Sequence, residues 1–248
     1  MLDRGALLRS ALAGLLIVCA PSLGGAAAAA SRRPVVAELY TSQGCSACAG
    51  ADELASDLDG RKHVLVLTFP VDYWDYLGWR DTFAQPAFSQ RQRDYAKALG
   101  LREVSTPQVV IDGLGQSGKT GPGQSLAQST DVLIHKAAKA RRTGPTIRQT
   151  RDKVQIGAGT APRGGTDVWL VRFRSAPADV TVTAGENRGK TVRYLNVVRE
   201  LERLGGWSGR ARTFEAPQAT EGDLKSAILV QAKRGGRILA VLAPAKSQ

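Results

Sequence analysis

Residues Val35–Asp52 read VVAELYTSQGCSACAGAD. The run Val35–Tyr40 is apolar except for Glu38, which predicts a short buried strand. Thr41–Gly44 supply a loop, and a helix is expected from about Ser46 or Ala47 to Leu58. Ala51, Leu54, Ala55 and Leu58 recur at a helical period, and Asp52 and Glu53 fall in the early turns, where negative charge is favourable. Asp59-Gly60 is the stop signal. Cys45 and Cys48 therefore stand two residues apart where a strand hands over to a helix, a setting that points to dithiol chemistry.

Downstream, His63–Phe69 (HVLVLTF) is almost uniformly apolar, as a strand buried on both faces should be, and Pro70 ends it. Val71–Trp79 (VDYWDYLGW) reads as an aromatic, acidic loop with a short helix. Pro86 opens a helix over Ala87–Leu99 that Gly100 closes. Ser105-Thr106-Pro107-Gln108 leads into a strand at Val109–Ile111, and Leu126–Ala140 reads as a further helix. Gly118-Lys119-Thr120 resembles the end of a phosphate loop only superficially, because the upstream glycine spacing is missing. Strands and helices alternate, which predicts a layered α/β domain ending near Arg141–Pro145.

Arg4 and Arg9 precede an apolar run from Ala11 to Ala20, followed by Pro21 and small residues through Ala30. This is the pattern of a secretory signal peptide over residues 1–30, with cleavage between Ala26 and Ala30. The run is too short for a stable membrane span. Cys19 is not read as a lipidation site, since bulky Val18 precedes it. The expected location is the periplasm or the exterior, where disulfides form. The net charge of +12 is spread along the chain, which predicts a solvated basic surface, and no nucleic-acid partner is expected.

With the leader removed, Cys45 and Cys48 are the remaining cysteines, and His63 and His135 sit in no ligand motif. Three or four ligands are not assembled, so no metal and no cofactor is expected. A disulfide closing so short a loop restrains the unfolded chain little, which weakens a purely structural reading. In the redox reading Cys45 is the exposed nucleophile and Cys48 the resolving thiol.

The strand–Cys-x-x-Cys–helix order, with Thr106-Pro107 before a later strand, resembles the thioredoxin fold. ELYTSQGCSACAGAD, VDYWDYLGW, STPQVVIDG and ENRGKTVRYLNVVREL more closely resemble the secreted family called domain of unknown function 1223. The thioredoxin resemblance implies a cis-proline at Pro107 opposite the dithiol, with Thr106 offering backbone groups to an extended substrate. It also implies that Glu38 is a buried acid passing a proton to or from Cys48, although the loop before Cys45 is one residue longer here. Tyr73 and Trp74, with Asp72, Asp75 and Trp79, are candidate walls of a substrate site.

After Pro145 the pattern changes to many short strands separated by Gly, Pro and Asn, with Gly235-Gly236 fitting a hairpin. The fold expected is a thioredoxin-like α/β domain over residues 31–145, followed by a mainly antiparallel, β-sandwich-like domain over 146–248. Thr191–Val198 is read as a strand, with a helix as the alternative for Leu195–Leu204. Glu186, Asn187 and Arg188 read as a structural polar turn. Two functions remain: a thiol–disulfide oxidoreductase acting on extracytoplasmic protein or peptide thiols, or a secreted binding or assembly protein in which the Cys45–Cys48 disulfide is structural.

Overall fold

The computed structural model describes residues 33–48, 50–118, 125–140 and 144–245. The expected leader, residues 119–124 of the glycine-rich stretch that includes Gly118-Lys119-Thr120, and Arg141–Thr143 lie outside the described residues. Thirteen strands are formed among the described residues: β1 (Val35–Thr41), β2 (Val64–Pro70), β3 (Gln108–Ile111), β4 (Gly115–Ser117), β5 (Ile147–Gln149), β6 (Lys153–Ile156), β7 (Thr166–Arg174), β8 (Ala178–Thr181), β9 (Thr191–Tyr194), β10 (Val197–Trp207), β11 (Arg212–Glu215), β12 (Lys225–Ala232) and β13 (Ile238–Leu242). Three α-helices accompany them: α1 (Ala51–Gly60), α2 (Pro86–Ala98) and α3 (Leu126–Lys139).

β1 and β2 are buried at every position and pair in parallel, from Val35 opposite Val64 to Thr41 opposite Pro70. Their near-continuous apolar runs follow from having both faces covered. Odd-numbered residues of β1, Val35, Ala37 and Leu39, pack with Leu54, Ala55 and Leu58 of α1 and with Ile134 and Ala137 of α3. Even-numbered Val36 and Tyr40 pack in the other core layer, with Phe88 and Tyr95 of α2. Pro86 occupies the first turn of α2, where its missing N–H costs nothing. Ser125 caps α3, accepting from the Gln128 amide while the Gln128 side chain accepts from the Ser125 amide.

The carboxy-terminal half is not a separate sandwich, and the boundary expected near residue 145 does not divide the sheet. One eight-stranded sheet runs in the order β13-β12-β7-β10-β2-β1-β3-β4, so strands from both halves hydrogen-bond side by side. The join is β10 alongside β2, with Val197 opposite Thr68. The physical reason is coverage: β2 needs a neighbour on its outer edge, and Val171, Phe173, Val198 and Leu229 complete the layer around Phe69 and Phe88. The sandwich character survives locally. A small antiparallel sheet, β11-β6-β5, lays Val154, Ile156 and Phe214 against Val168, Leu170 and Ile228 around Trp207. Leu195–Leu204 is not helical. Asn196 takes a left-handed φ of 50° between β9 and β10, and the chain continues extended to Trp207. β8 and β9 form a separate two-stranded hairpin. Together these elements make an α/β fold with a mixed sheet and two smaller antiparallel sheets, thioredoxin-like in general terms around β1–β4.

Among the described residues no helix is long and apolar enough to cross a membrane.

Candidate functional site

Cys45 and Cys48 are joined in a disulfide, with Cα atoms 5.4 Å apart. A closely spaced pair of this kind is redox-capable. The bridge does not sit on the first turn of an α-helix, as the spacing had suggested. The Cys45 amide donates to Ser42 O and the Cys48 amide to Cys45 O, each at 3.1 Å, and Ser46–Cys48 form one 3-10 turn. α1 begins only at Ala51, after Gly50, whose φ of +87° interrupts the helical path. Cys45 is also less open than expected, at 3% exposed, and Cys48 is 7% exposed.

The facing wall is the segment before β3. The Thr106–Pro107 peptide is cis. The Thr106 hydroxyl lies 3.2 Å from Cys45 Sγ, and Thr106 O is 3.8 Å from the same sulfur. The Trp74 indole N–H donates to Thr106 Oγ1 at 2.7 Å, so Trp74 is tied to the residue that touches the dithiol. Tyr73 packs beside Trp74 with ring centroids 5.8 Å apart, and burial pushes its phenol up to about 12. Cys45, Cys48, Thr106, Pro107 and Trp74 thus stand in one place.

Glu38 takes its hydrogen bonds from Arg91, Tyr40 and Tyr95 rather than from the dithiol, which fits a structural role. It lies on the even-numbered face of β1, away from α1. Its Oε2 accepts from Arg91 Nε at 2.7 Å and from the Tyr40 hydroxyl at 2.9 Å. Its Oε1 accepts from Arg91 Nη2 and from the Tyr95 hydroxyl, both at 2.7 Å. Arg91 also lies over the rings of Phe69, Tyr95 and Trp169. The alternation of side chains along a strand is the reason: Glu38 shares a face with Tyr40, whereas α1 covers Ala37 and Leu39.

Several residues that build the site, apart from Trp79, carried no sequence signal for it. Asp81 is buried and accepts from the Gln43 amide and the Tyr194 hydroxyl, each at 2.8 Å. Burial raises its pKa above the usual carboxylate value. Trp79 donates its indole N–H to Gln43 Oε1 at 2.9 Å, which fixes the loop leading to Cys45. From the carboxy-terminal half, the Asn187 side-chain amide donates to Gln43 O at 2.9 Å and to Cys45 O at 3.1 Å. The Ser46 hydroxyl donates to Glu186 Oε2 at 2.7 Å. These last contacts span more than 100 residues of sequence, so no local pattern announces them. The Gly-Glu-Asn-Arg-Gly turn was visible only as a turn. Among the described residues, no group of three or more His, Cys, Asp or Glu side chains is placed to hold a metal ion.

A family model described as "Protein of unknown function (DUF1223)" matches residues 36–231. Protein AGR_C_4864 from Agrobacterium tumefaciens, a solved crystal structure, is similar at 26% sequence identity and a TM-score of 0.65, over 86% of this chain and 96% of that one. HBP35 of Porphyromonas gingivalis is similar in fold, with a TM-score of 0.58 at 10% identity, over 88% of this chain and 79% of that one. No curated protein matches the chain.

Proposed function

The chain belongs to the DUF1223 family, and from the geometry of its dithiol we propose that it is a thiol–disulfide oxidoreductase working outside the cytoplasm on protein or peptide thiols. The observation that carries this reading is the contact of Thr106, the residue before cis-Pro107, with Cys45 Sγ. It singles out Cys45 as the sulfur facing a substrate-binding wall. In the reducing direction, the Cys45 thiolate attacks a substrate disulfide, one substrate sulfur leaves as thiolate, and a mixed disulfide forms on Cys45. The Cys48 thiolate then attacks Cys45 Sγ, releasing the second substrate thiolate and closing the Cys45–Cys48 bond. Two electrons pass from the pair to the substrate. The oxidising direction is the same sequence reversed. In this reading Thr106 and Trp74 hold the substrate segment, with Tyr73 packed behind Trp74. The expected extracytoplasmic location keeps partner thiols and disulfides in exchange.

A second reading is supported by the burial of both cysteines: a binding or assembly protein whose disulfide only braces the Gln43–Cys48 turn. Equilibration of the purified protein in glutathione redox buffers separates the two. The oxidoreductase reading predicts that the pair interconverts reversibly between dithiol and disulfide while the circular dichroism of the folded state is unchanged. A pair that stays oxidised until the chain unfolds would overturn it.

A further inference from the structure

The turn that carries the dithiol is bonded by the β8–β9 hairpin, far away in sequence. Its loop, Val182–Lys190, is closed on itself by backbone bonds from the Val182 amide to Lys190 O and from the Gly189 amide to Val182 O, at 2.9 and 2.8 Å. Gly185, at φ +71°, lets the loop press against the Leu77–Trp79 turn; a Cβ there would lie 3.1 Å from Leu77 O. From this loop only Asn187 is buried among Glu186–Lys190. Its amide nitrogen donates to Gln43 O and Cys45 O, while Lys190 Nζ donates to its Oδ1 at 3.0 Å and so sets which end of the amide faces the turn. Cys45 O thereby accepts from both Asn187 and the Cys48 amide. One side chain clasps both carbonyls that bracket Gly44, and Glu186 holds Ser46 immediately after the first cysteine.

Resting on the exchange reading above, we propose that Asn187 is a positioning residue for the dithiol. It holds the redox turn closed while the pair is oxidised, and it must release Gln43 O and Cys45 O before an incoming thiolate can reach Cys45 Sγ. The pair is thereby protected from indiscriminate thiols and opens to a partner able to displace the loop. A free thiol does not make that displacement and must wait for the loop to lift.

Reduction by dithiothreitol tests this directly. One thiolate of the reagent attacks Cys45 Sγ, the Cys45–Cys48 bond breaks, and Cys48 leaves as thiolate. The second thiolate of the reagent attacks the first reagent sulfur, releasing Cys45 as thiolate and the reagent as its cyclic disulfide. The reagent supplies both electrons. The rate is followed by acid quench and alkylation in the full protein, without and with low, non-denaturing urea. Asn187→Ala is expected to be reduced about thirtyfold faster than wild type, the factor that corresponds to two ordinary neutral hydrogen bonds. The increase should be nearly independent of urea, since a local opening exposes little surface. Glu186→Ala, at an exposed position that leaves folding intact, should be reduced about threefold faster, the factor for a single exposed hydrogen bond. An unchanged rate in folded Asn187→Ala overturns the proposal, as does an increase that rises steeply with urea, the mark of global unfolding. If Asn187→Ala does not fold, Glu186→Ala decides: a faster rate supports the clasp and an unchanged rate overturns it. Dithiothreitol reads the clasp whether or not a protein partner exists. Failure of the clasp therefore shows as an unchanged rate, and failure of the exchange reading as a pair inert to glutathione in the folded protein.

Discussion

Glu38 shows how one residue's meaning depends on which side of a strand it faces. A lone acid in an apolar strand just before a dithiol invites a role in proton transfer. Its position on the face of Val36 and Tyr40 instead commits it to Arg91, Tyr40 and Tyr95. Burial, and then the charge of Glu38, push the Tyr40 phenol well above its ordinary value. Strand parity was legible in the sequence, but which face α1 would cover was not. Removing one partner of a buried ion pair leaves an uncompensated charge and costs about 3–5 kcal/mol. Glu38→Gln is therefore expected to lower unfolding free energy by about that amount in urea titrations. The exchange rate of Cys45 in the folded fraction should stay within about twofold of wild type, because the hydrogen bonds of Glu38 go to Arg91, Tyr40 and Tyr95 and the two sites share no partner. A large loss of exchange with little loss of stability would restore the proton-shuttle role.

At the scale of elements, α1 carries a pH-dependent contact. Asp52 lies in its first turn and accepts from the Arg193 amide on β9 at 3.1 Å, joining the helix after the dithiol to the β8–β9 hairpin. Burial outweighs that bond and raises the carboxyl to about 6. The folded state then holds a proton that the unfolded chain has lost between the ordinary value of 3.8 and about 6. The contribution of Asp52 to stability consequently falls as pH rises through that window and is flat above it. Because the group is partly exposed, solvent screening reduces the effect to about 1 kcal/mol. Asp52→Asn should remove this slope and be more stable than wild type by about that amount at pH 7, as measured by thermal unfolding across pH 4–7. The α1 helix itself was readable from Ala51, Leu54, Ala55 and Leu58. Its start was not, because the left-handed conformation of Gly50 and the 3-10 turn at Ser46–Cys48 break the pattern locally without changing the apolar period.

At the scale of the whole molecule, the two halves share one sheet and one candidate site. The run of β1, β2 and β3 and the helices between them followed from local patterns, and the placing of Thr106-Pro107 opposite Cys45 from the resemblance to the thioredoxin fold. The lateral addition of β10 to β2 and the reach of Asn187 to Gln43 and Cys45 did not, because hydrogen bonding between segments more than 100 residues apart leaves no periodic trace. The consequence is functional: strands that looked like an independent domain complete the core of the α/β half, and the loop of a hairpin within them bonds the turn that carries the dithiol. The proposed exchange chemistry requires Cys45 to be the sulfur that engages a partner. The most direct measurement is trapping with the full-length Cys48→Ala protein exposed to extracytoplasmic proteins, with Cys45→Ala in parallel and bound partners released by reductant. Mixed disulfides are predicted on Cys48→Ala and none on Cys45→Ala. Equal trapping by both variants, or by neither, would contradict that assignment.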